Sequence, residues 1–198
     1  KVNSFTNKGI LYENVMIISG HTDLKNSVAN KTILEELHKM IPHAEIDYLD
    51  CLYSDFQIDI KKEQQKLEKA DILVFQFPVF WYSMPSLLAR WMEETFQHGW
   101  SHGSTGDKLK GKKLIISLTT GAPKEMYQHD GAMGFEIEEY LSAIISTCKL
   151  CQMEYVGYVY TDKVSYASRN DPKLLEDIVN RSKEHAHKVV ELINTCLL

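Results

Sequence analysis

ADILVFQFPVFWYSMPSLLARW, residues 70–91, is the stretch that decides the fold. Its apolar run at residues 72–77 ends at Pro78, which predicts a strand buried on both faces. A strand of that kind belongs to a parallel sheet with helices on either side. Ligands of such sheets bind just beyond the carboxyl ends of the strands, where Trp81 and Tyr82 stand. We therefore expect this aromatic pair to belong to a ligand site.

The composition is that of a soluble globular protein with one domain. The chain has 198 residues, 44% of them hydrophobic and 25% charged, and a net charge of -5. An acidic balance with scattered basic residues argues against a nucleic-acid partner. No apolar run reaches the roughly 18 residues that span a bilayer, and residues 1–14 show no secretory pattern. We therefore expect the four cysteines to be reduced thiols and the protein to be cytoplasmic.

Strands and helices alternate along the chain. Strands are predicted at residues 15–18, 45–49, 72–77, 113–118 and 155–160. Helices are predicted between Ser27 and Pro42 and at residues 60–69, 85–97, 137–148 and 172–196. This alternation predicts a parallel sheet with right-handed crossovers, and five strands favour the flavodoxin-like order 2-1-3-4-5. The expected fold class is α/β, with a three-layer α/β/α domain at residues 15–198 and an extended N-terminal arm at residues 1–14.

In that order strands 1, 3 and 4 are neighbours, so the loops after them converge at one edge. The first loop places His21 ahead of the helix that follows Ser27. A helix N-terminus offers unpaired N–H groups and a positive dipole end, which makes this loop a candidate anion site. Two plainer interpretations stay open: Ser27 as a helix cap, and His21 as a solvated turn residue. The loop lacks GxGxxG and also lacks GxxxxGKS or GxxxxGKT, which disfavours a dinucleotide fingerprint and a kinase-type site.

The second and third loops add an aromatic wall and an amide-rich turn. Residues 78–82 read Pro-Val-Phe-Trp-Tyr, and residues 119–122 read Thr-Thr-Gly-Ala. Aromatic rings stack on flat ligands, and backbone N–H groups at a strand end donate to the polar edge of a heterocycle. Taken alone, the third loop is also compatible with an ordinary turn. The three loops together favour flavin mononucleotide (FMN) as the ligand.

Longer blocks of the sequence resemble the flavodoxin-like NAD(P)H:quinone oxidoreductases. The similarity rests on FQFPVFWYSMPSLLARWMEETFQHGWSHG at residues 75–103 and LKGKKLIISLTTGAP at residues 109–123. In the bacterial branch with the ancillary quinone reductase of the glutathione-regulated potassium-efflux system, it extends to two further blocks. These are HxxxxxSxxNK at residues 21–31 and LYSDFQIDIKKEQQKLEKAD at residues 52–71. The resemblance covers roughly residues 14–196.

The resemblance implies a non-covalent FMN, with FAD as the alternative, and a homodimer with the flavin near the interface. The first loop would hold the phosphate and ribityl end, and the other two loops would hold the isoalloxazine ring. The implied cofactor-binding residues are His21, Ser27, Val28, Ala29, Asn30, Pro78, Val79, Phe80, Trp81, Tyr82, Thr119, Thr120, Gly121 and Ala122. Tyr127 matches a tyrosine that hydrogen-bonds the reduced flavin or the substrate in long-chain relatives, which implies a catalytic role.

Two positions depart from the family pattern. Ala122 replaces the second glycine of the usual Thr-Thr-Gly-Gly, and alanine is costly wherever the backbone needs a positive φ. Met133 stands where the mammalian enzymes carry a catalytic histidine, and His129 is the nearest histidine. The sequence therefore does not predict a strict Tyr–His pair.

The activity implied by the resemblance is that of an NAD(P)H dehydrogenase (quinone). NAD(P)H would give a hydride to the flavin, and a quinone or similar acceptor would then take two electrons at the same place, in a ping-pong mechanism. The choice between NADH and NADPH and the physiological acceptor stay open. An alternative is a regulatory subunit of a potassium-efflux antiporter with incidental reductase activity, associated peripherally with that membrane transporter. A simple electron-carrier flavodoxin is a third candidate.

Cysteine and histidine pairs outside the loops are interpreted as structural. Cys148 and Cys151 have the C-x-x-C spacing, but no second pair accompanies them. His185 and His187 are two residues apart on a predicted helix and so point to different faces. We therefore predict no metal site.

Overall fold

The computed structural model describes residues 14–196, so the arm predicted at residues 1–14 lies outside it apart from Asn14. Its sheet has five parallel strands: β1 (Val15–Ser19), β2 (Glu45–Tyr48), β3 (Ile72–Pro78), β4 (Lys113–Thr119) and β5 (Glu154–Thr161). Their order is β2-β1-β3-β4-β5. The predicted flavodoxin-like order is thereby confirmed.

The helices cover both faces of this sheet. They are α1 (Ala29–Met40), α2 (Leu49–Leu52), α3 (Ile60–Lys69), α4 (Ser86–Thr95), α5 (Ser142–Leu150) and α6 (Pro172–Thr195). The one-turn helix α2 was not predicted. Between residues 14 and 196, no helix combines the length and hydropathy that crossing a bilayer requires.

Helix α5 begins later than its apolar spacing predicts. Residues Glu139–Leu141 form a 3-10 turn, and the α-helix starts at Ser142 rather than near Ile137. The Glu139 carboxylate accepts a hydrogen bond of 2.8 Å from the N–H of Glu136, and such local bonds compete with helical ones. Ile137 is nevertheless buried. Its apolar side chain therefore indicates burial correctly but does not indicate a helix.

Strand β3 is buried on both faces, as its sequence predicts. All seven of its residues are buried, and successive side chains point into opposite cores. Leu73 and Phe75 face one core together with Trp91 of α4. Ile72 and Val74 face the other core, which α1 and α6 close. The central strand therefore anchors both layers and fixes the position of the loop that follows it.

Gly20 allows the end of β1 to approach α4 closely. A Cβ atom at this position would lie 2.8 Å from the Cβ and 2.7 Å from the Cδ2 of Leu88. The N–H of Gly20 donates to the carbonyl of Gln76 at 2.8 Å. A larger residue would therefore displace the loop that leads from β1 to α1.

The C-x-x-C pair is structural, as interpreted from the sequence. Cys148 and Cys151 are free thiols and are 2% and 1% exposed within one core. Burial raises the pKa of Cys148 to about 12. Since the thiolate is the reactive form of cysteine, this residue is chemically inert at neutral pH.

Candidate functional site

The loops after β1, β3 and β4 meet around a cavity of about 370 Å³. Ten of the predicted residues line this cavity, and they come from all three loops. They are His21, Ser27, Val28, Ala29, Asn30, Pro78, Val79, Phe80, Thr119 and Gly121. The expected convergence of distant segments is therefore seen in the structure.

The five other predicted residues lie nearby without lining the cavity. Trp81 is 93% exposed, while Thr120, which belongs to the third loop, is 2% exposed. Tyr82 stacks on Tyr140 at a centroid distance of 5.6 Å, and Tyr127 meets the same ring edge-on at 6.0 Å. Ala122 is partly buried and packs against the core that contains Tyr127.

The N-terminus of α1 presents donors to the cavity. The Ser27 Oγ accepts hydrogen bonds from the backbone N–H of Asn30 at 3.2 Å and from its Nδ2 at 3.3 Å. Within residues 14–196, the N–H groups of Val28 and Ala29 have no hydrogen-bond partner. Unpaired N–H groups at a helix start bind anions. Ser27 therefore caps the helix, and it also lines the cavity beside these unpaired N–H groups.

His21 adds a further donor at the mouth of this loop. Its Nδ1 accepts the N–H of Asp23 at 3.0 Å, so the neutral ring carries its proton on Nε2. The ring also meets Phe80 edge-on at 5.7 Å. Burial lowers the pKa of His21, although Asp50 and Asp23 oppose that effect. The neutral imidazole with Nε2–H is therefore the form favoured in the free protein.

The aromatic loop after β3 is a strained two-residue turn. Phe80 and Ser83 exchange two backbone hydrogen bonds of 3.0 Å. Between them, Trp81 and Tyr82 have φ angles of 48° and 65°. A left-handed conformation costs a non-glycine residue roughly 1–2 kcal/mol, and such strain concentrates at ligand sites. The turn directs Trp81 into solvent and Tyr82 toward Tyr140.

The third loop offers unpaired amides beside the second. The N–H of Val79 donates to the carbonyl of Thr119 at 2.8 Å, which ties the two loops together. Within the described part of the chain, the N–H groups of Gly121 and Ala122 have no partner. Ala122 is not among the residues with a positive φ, so its backbone tolerates the alanine that replaces the family glycine.

A fourth wall of the cavity was not predicted. It comes from the segment after β5 and the start of α6, and consists of Val164, Ser165, Tyr166, Arg169, Leu175 and Ile178. Strand β5 lies beside β4, so its carboxyl end reaches the same edge of the sheet. The rule that brings the loops after β1, β3 and β4 together therefore applies to this segment as well, and the position of strand 5 beside strand 4 in the predicted order is the signal for it.

Arg169 is the notable residue of this fourth wall. Its Nη2 donates to the Asn26 carbonyl at 2.6 Å, and its guanidinium lies 3.1 Å from the ring centroid of Tyr166. Its Nε is buried and has no hydrogen-bond partner among residues 14–196. A buried donor without a partner is costly. Arg169 therefore brings a positive charge to the cavity wall, and its buried Nε keeps an unused donor behind that wall.

The strand order β2-β1-β3-β4-β5, with a cavity beyond the carboxyl ends of β1 and β3, defines a flavodoxin-like protein. A family model described as "Flavodoxin-like fold" matches residues 13–186. The chain belongs to this family.

Three named proteins are similar to this chain in sequence or structure. The uncharacterized NAD(P)H oxidoreductase YrkL of Bacillus subtilis is 34% identical over 158 residues, which cover 80% of this chain and 90% of YrkL. The glutathione-regulated potassium-efflux system ancillary protein KefF of Enterobacter sp. is 40% identical over 123 residues, covering 62% and 69%. The crystal structure of general stress protein 14 of Treponema denticola in complex with FMN has a TM-score of 0.81 and 28% identity, and covers 91% of this chain and 99% of its own. The predicted resemblance is confirmed.

Proposed function

We propose that the chain is an FMN-dependent NAD(P)H dehydrogenase that transfers two electrons to quinones or similar acceptors. The observation that carries the proposal is the cavity, in which a helix N-terminus, strand-end amides and Arg169 meet. The Treponema denticola relative holds FMN, and YrkL carries the name of an NAD(P)H oxidoreductase. The choice of quinones as acceptors rests on the family resemblance of the sequence.

The phosphate of FMN fits between the start of α1 and Arg169. The N–H groups of Val28 and Ala29 have no partner in the described chain, and the Nε of Arg169 is buried without one. The oxygen of Ser27 accepts twice from Asn30, which leaves its hydroxyl hydrogen for a ligand. A phosphate oxygen accepts such charge-assisted hydrogen bonds strongly, so these donors select the anionic end of the cofactor.

The isoalloxazine ring fits against the second and third loops. Val79 and Phe80 supply apolar surface in the cavity, and the unpaired N–H groups of Gly121 and Ala122 lie on the adjoining loop. FMN supplies the hydride chemistry when it is bound. The two amides are positioned to donate to a carbonyl edge and to stabilise negative charge that develops there.

Tyr127 is proposed as the catalytic residue. Burial raises the pKa of Tyr127, with smaller contributions from Tyr82 and Tyr140, so its hydroxyl keeps its proton at neutral pH. A protonated phenol is a hydrogen-bond donor for a quinone oxygen. NAD(P)H and the acceptor would occupy the same place beside this residue in turn, which gives ping-pong kinetics.

A homodimer is proposed from exposed aromatic surface beside the cavity. Trp81 is 93% exposed, Phe135 54% and Tyr82 44%. Phe135 and Tyr82 both contact the ring of Tyr140, so these three rings form a continuous patch, with the exposed Trp81 next to Tyr82 in the sequence. Contiguous apolar patches mark association sites. Association with a potassium-efflux transporter stays a prediction that rests on the similarity to KefF.

The decisive experiment is an absorption spectrum of the purified full chain, with mass analysis of the flavin that it releases. A yellow protein that releases FMN and oxidises NAD(P)H only when a quinone is added is the expected result. Steady-state rates with both substrates varied should give parallel lines in double-reciprocal plots. A colourless protein that takes up no added FMN would overturn the proposal. Sedimentation equilibrium on the same sample measures the proposed dimer.

Replacing Arg169 by methionine is expected to weaken FMN binding by about 10–100-fold, since a hydrogen bond to a charged group contributes about 1.5–3 kcal/mol. Riboflavin lacks the phosphate, so its affinity should change little. Flavin fluorescence titration of the apoprotein measures both ligands. Arg90→Met is the matched control because Arg90 forms an exposed ion pair with Glu94 on α4. An equal loss of FMN and riboflavin affinity would contradict a phosphate contact.

A further inference from the structure

On the face of the sheet that α1 and α6 cover, the buried side chains change from apolar to polar toward the carboxyl ends of the strands. Along this face apolar residues give way to polar ones: Val74 is followed by Gln76 on β3, and Ile115 by Ser117 on β4. Gln76 lies beside Ser19 in one direction and Ser117 in the other. All three are at most 1% exposed. A buried polar layer is costly unless its groups are hydrogen-bonded, so its bonding pattern is informative.

A continuous series of hydrogen bonds runs through this layer from α6 to α1. His185, which is 1% exposed, contacts Thr161 through Nδ1 at 2.9 Å and Ser117 through Nε2 at 2.7 Å. Ser117 bonds to the side-chain carbonyl of Gln76. The Nε2 of Gln76 then donates to the Oδ1 of Asn30 at 2.7 Å. We call His185, Ser117, Gln76 and Asn30 the buried network.

With the Gln76 and Asn30 amides oriented as in the structure, the directions of these bonds assign the proton of each hydroxyl and of the imidazole. The Gln76 amide nitrogen is committed to Asn30, so its oxygen faces Ser117 and can only accept. The Ser117 hydroxyl must donate to that oxygen, and its own oxygen must therefore accept from His185 Nε2–H. The Nδ1 of His185 is then unprotonated and accepts the hydroxyl of Thr161. One tautomer of His185 satisfies the whole series.

At its other end the buried network reaches the cavity. The Asn30 Nδ2 donates to Thr119 Oγ1 at 3.1 Å and to Ser27 Oγ at 3.3 Å. With its oxygen filled by donors, Ser27 must direct its own hydrogen elsewhere, and it lines the cavity. If the Gln76 and Asn30 amides were turned over, Ser27 would donate to Asn30 instead. His185 would then carry its proton on Nδ1, and the cavity would lose a donor.

We propose that His185 is a positioning residue, whose Nε2–H tautomer holds the buried network in the direction that keeps the Ser27 hydroxyl donating into the cavity. The anion that receives this hydrogen bond is the FMN phosphate, and this part rests on the proposed function. His185 itself does not line the cavity. Its influence passes through three intervening side chains.

The imidazole stays neutral while it performs this role. Burial, reinforced by Lys188, lowers the pKa of His185 to about 3. A cationic ring would donate from both nitrogens, and Thr161 would then have to reverse its hydrogen bond. At neutral pH the imidazole of His185 is uncharged in both arrangements. The two directions of hydrogen bonding in the buried network therefore differ at His185 only in the tautomer of the ring.

The first test measures the tautomer directly. Long-range proton–nitrogen NMR correlations of the full chain labelled with nitrogen-15 histidine distinguish Nε2–H from Nδ1–H, and the signal absent from His185→Gln identifies the residue. The expected result is Nε2–H in the FMN-bound protein. The Nδ1–H tautomer there would overturn the inference, whatever the flavin affinities are.

The second test separates positioning from packing by comparing FMN with riboflavin. His185→Leu is expected to weaken FMN binding about tenfold, as for one lost hydrogen bond, and to leave riboflavin within about twofold. His185→Gln should recover most of the FMN affinity because its amide nitrogen replaces Nε2 as the donor to Ser117. In a Ser27→Ala background, His185→Leu should have no further effect, since the two residues act through one contact.

His187→Leu is the matched control, because His187 is exposed on the same helix; it should change neither affinity. A parallel loss of FMN and riboflavin binding in His185→Leu, with no recovery in His185→Gln, would make His185 a packing residue only. A wild-type chain that binds neither flavin would overturn the proposed function. The NMR measurement of the His185 tautomer would still show in which direction the hydrogen bonds of the buried network run. A wild-type chain that binds both flavins equally would remove the phosphate contact and with it the proposed role of His185.

Discussion

Replacing Lys66 by methionine is expected to lower the free energy of unfolding of the apoprotein by about 3–5 kcal/mol near pH 8. The Lys66 Nζ lies 2.7 Å from both carboxylate oxygens of Asp47 and 2.9 Å from the Oε1 of Glu63. These two acids are 3% and 0% exposed. The variant would leave Glu63 buried without its cation, and Asp47 could avoid repulsion only by taking up a proton, so the buried ion pair would be broken in the costly way.

Glu63 cannot move away from this contact. Its Oε1 accepts the hydroxyl of Tyr53 at 2.7 Å, and its Oε2 accepts the indole N–H of Trp91 at 2.8 Å. Burial raises the pKa of Glu63, but hydrogen bonds with Asp47, Tyr53, Lys66 and Trp91 outweigh burial and lower it overall. Glu63 therefore stays ionised, and the excess proton of the pair belongs to Asp47.

The pH dependence of this prediction follows from Asp47. Burial, together with a hydrogen bond to Glu63, raises the pKa of Asp47 to about 7 from its usual 3.8. A raised folded-state pKa contributes stability that is complete below the unfolded value and is lost as the pH rises through the folded value. Without Lys66 the pKa should rise further, because an attractive cation is lost. Protonation then relieves the repulsion in acid, so the effect of Lys66→Met should shrink toward about pH 5.

Urea unfolding followed by near-ultraviolet circular dichroism measures this difference, and urea is chosen because it does not screen charges. Lys69→Met is the matched control, since Lys69 is exposed on the same helix and surface changes stay within about 0.5 kcal/mol. Adding Asp47→Asn to Lys66→Met should recover part of the loss near pH 8. A Lys66→Met variant as stable as the control at both pH values would contradict the charge argument.

The sequence predicted the parts of the fold that local pattern controls. The apolar run that becomes β3 reports burial on both faces by itself, because each of its residues needs an apolar environment wherever it lies. The cap of α3 is equally local: the Asp59 carboxylate accepts the N–H of Lys62 at 3.1 Å. The strand order then follows from topological rules that hold for most parallel sheets.

The polar partnerships could not be predicted in this way, because they join residues that are far apart in sequence. His185 meets Ser117 from 68 positions away, and Arg169 meets Asn26 from 143 positions away. Apolar spacing shows which face of a helix is buried, but it does not show which distant polar group a buried histidine will find. His185 and His187 are predicted to point to different faces, and the structure buries one and exposes the other, but their spacing does not predict the contact of His185 with Ser117.

Helix α3 illustrates the same limit in the opposite direction. Its polar sequence, IKKEQQKLEK, is typical of a helix at the surface. The helix does lie at the surface, with only Glu63 and Leu67 buried, but the sequence does not reveal that Glu63 is completely buried, where Lys66, Tyr53 and Trp91 satisfy its oxygens. Charged residues are rarely buried unless they are paired, and here Lys66 belongs to α3 itself, while Tyr53 follows α2 and Trp91 lies on α4. The exposed Trp81 is the converse, an apolar residue held outward by the turn between Phe80 and Ser83.

Ser27→Asp is expected to stabilise the apoprotein and to weaken FMN binding by about a thousandfold. The Ser27 Oγ accepts the N–H of Asn30 at 3.2 Å, and an aspartate oxygen can accept the same bond. A carboxylate at the N-terminus of α1 also interacts favourably with the helix dipole, by about 0.3–1 kcal/mol. A phosphate about 4 Å from that carboxylate would be repelled by about 4 kcal/mol at an effective dielectric constant of about 20. This corresponds to about three orders of magnitude in affinity.

In Ser27→Asp the stability is expected to rise while the FMN affinity falls. This combination is diagnostic, because a damaged fold would lower both the stability and the affinity. Ser27→Asn is the matched control: it has the shape of aspartate without the charge, so it should lose no more FMN affinity than one hydrogen bond provides, about tenfold. Thermal unfolding of the apoproteins and titration with FMN and riboflavin measure the two effects. Riboflavin should bind Ser27→Asp nearly as well as it binds the wild type, since it brings no phosphate to the start of α1. If FMN bound Ser27→Asp as tightly as Ser27→Asn, the phosphate would have to lie elsewhere in the cavity, and the donors at Val28, Ala29 and Arg169 would need another ligand group.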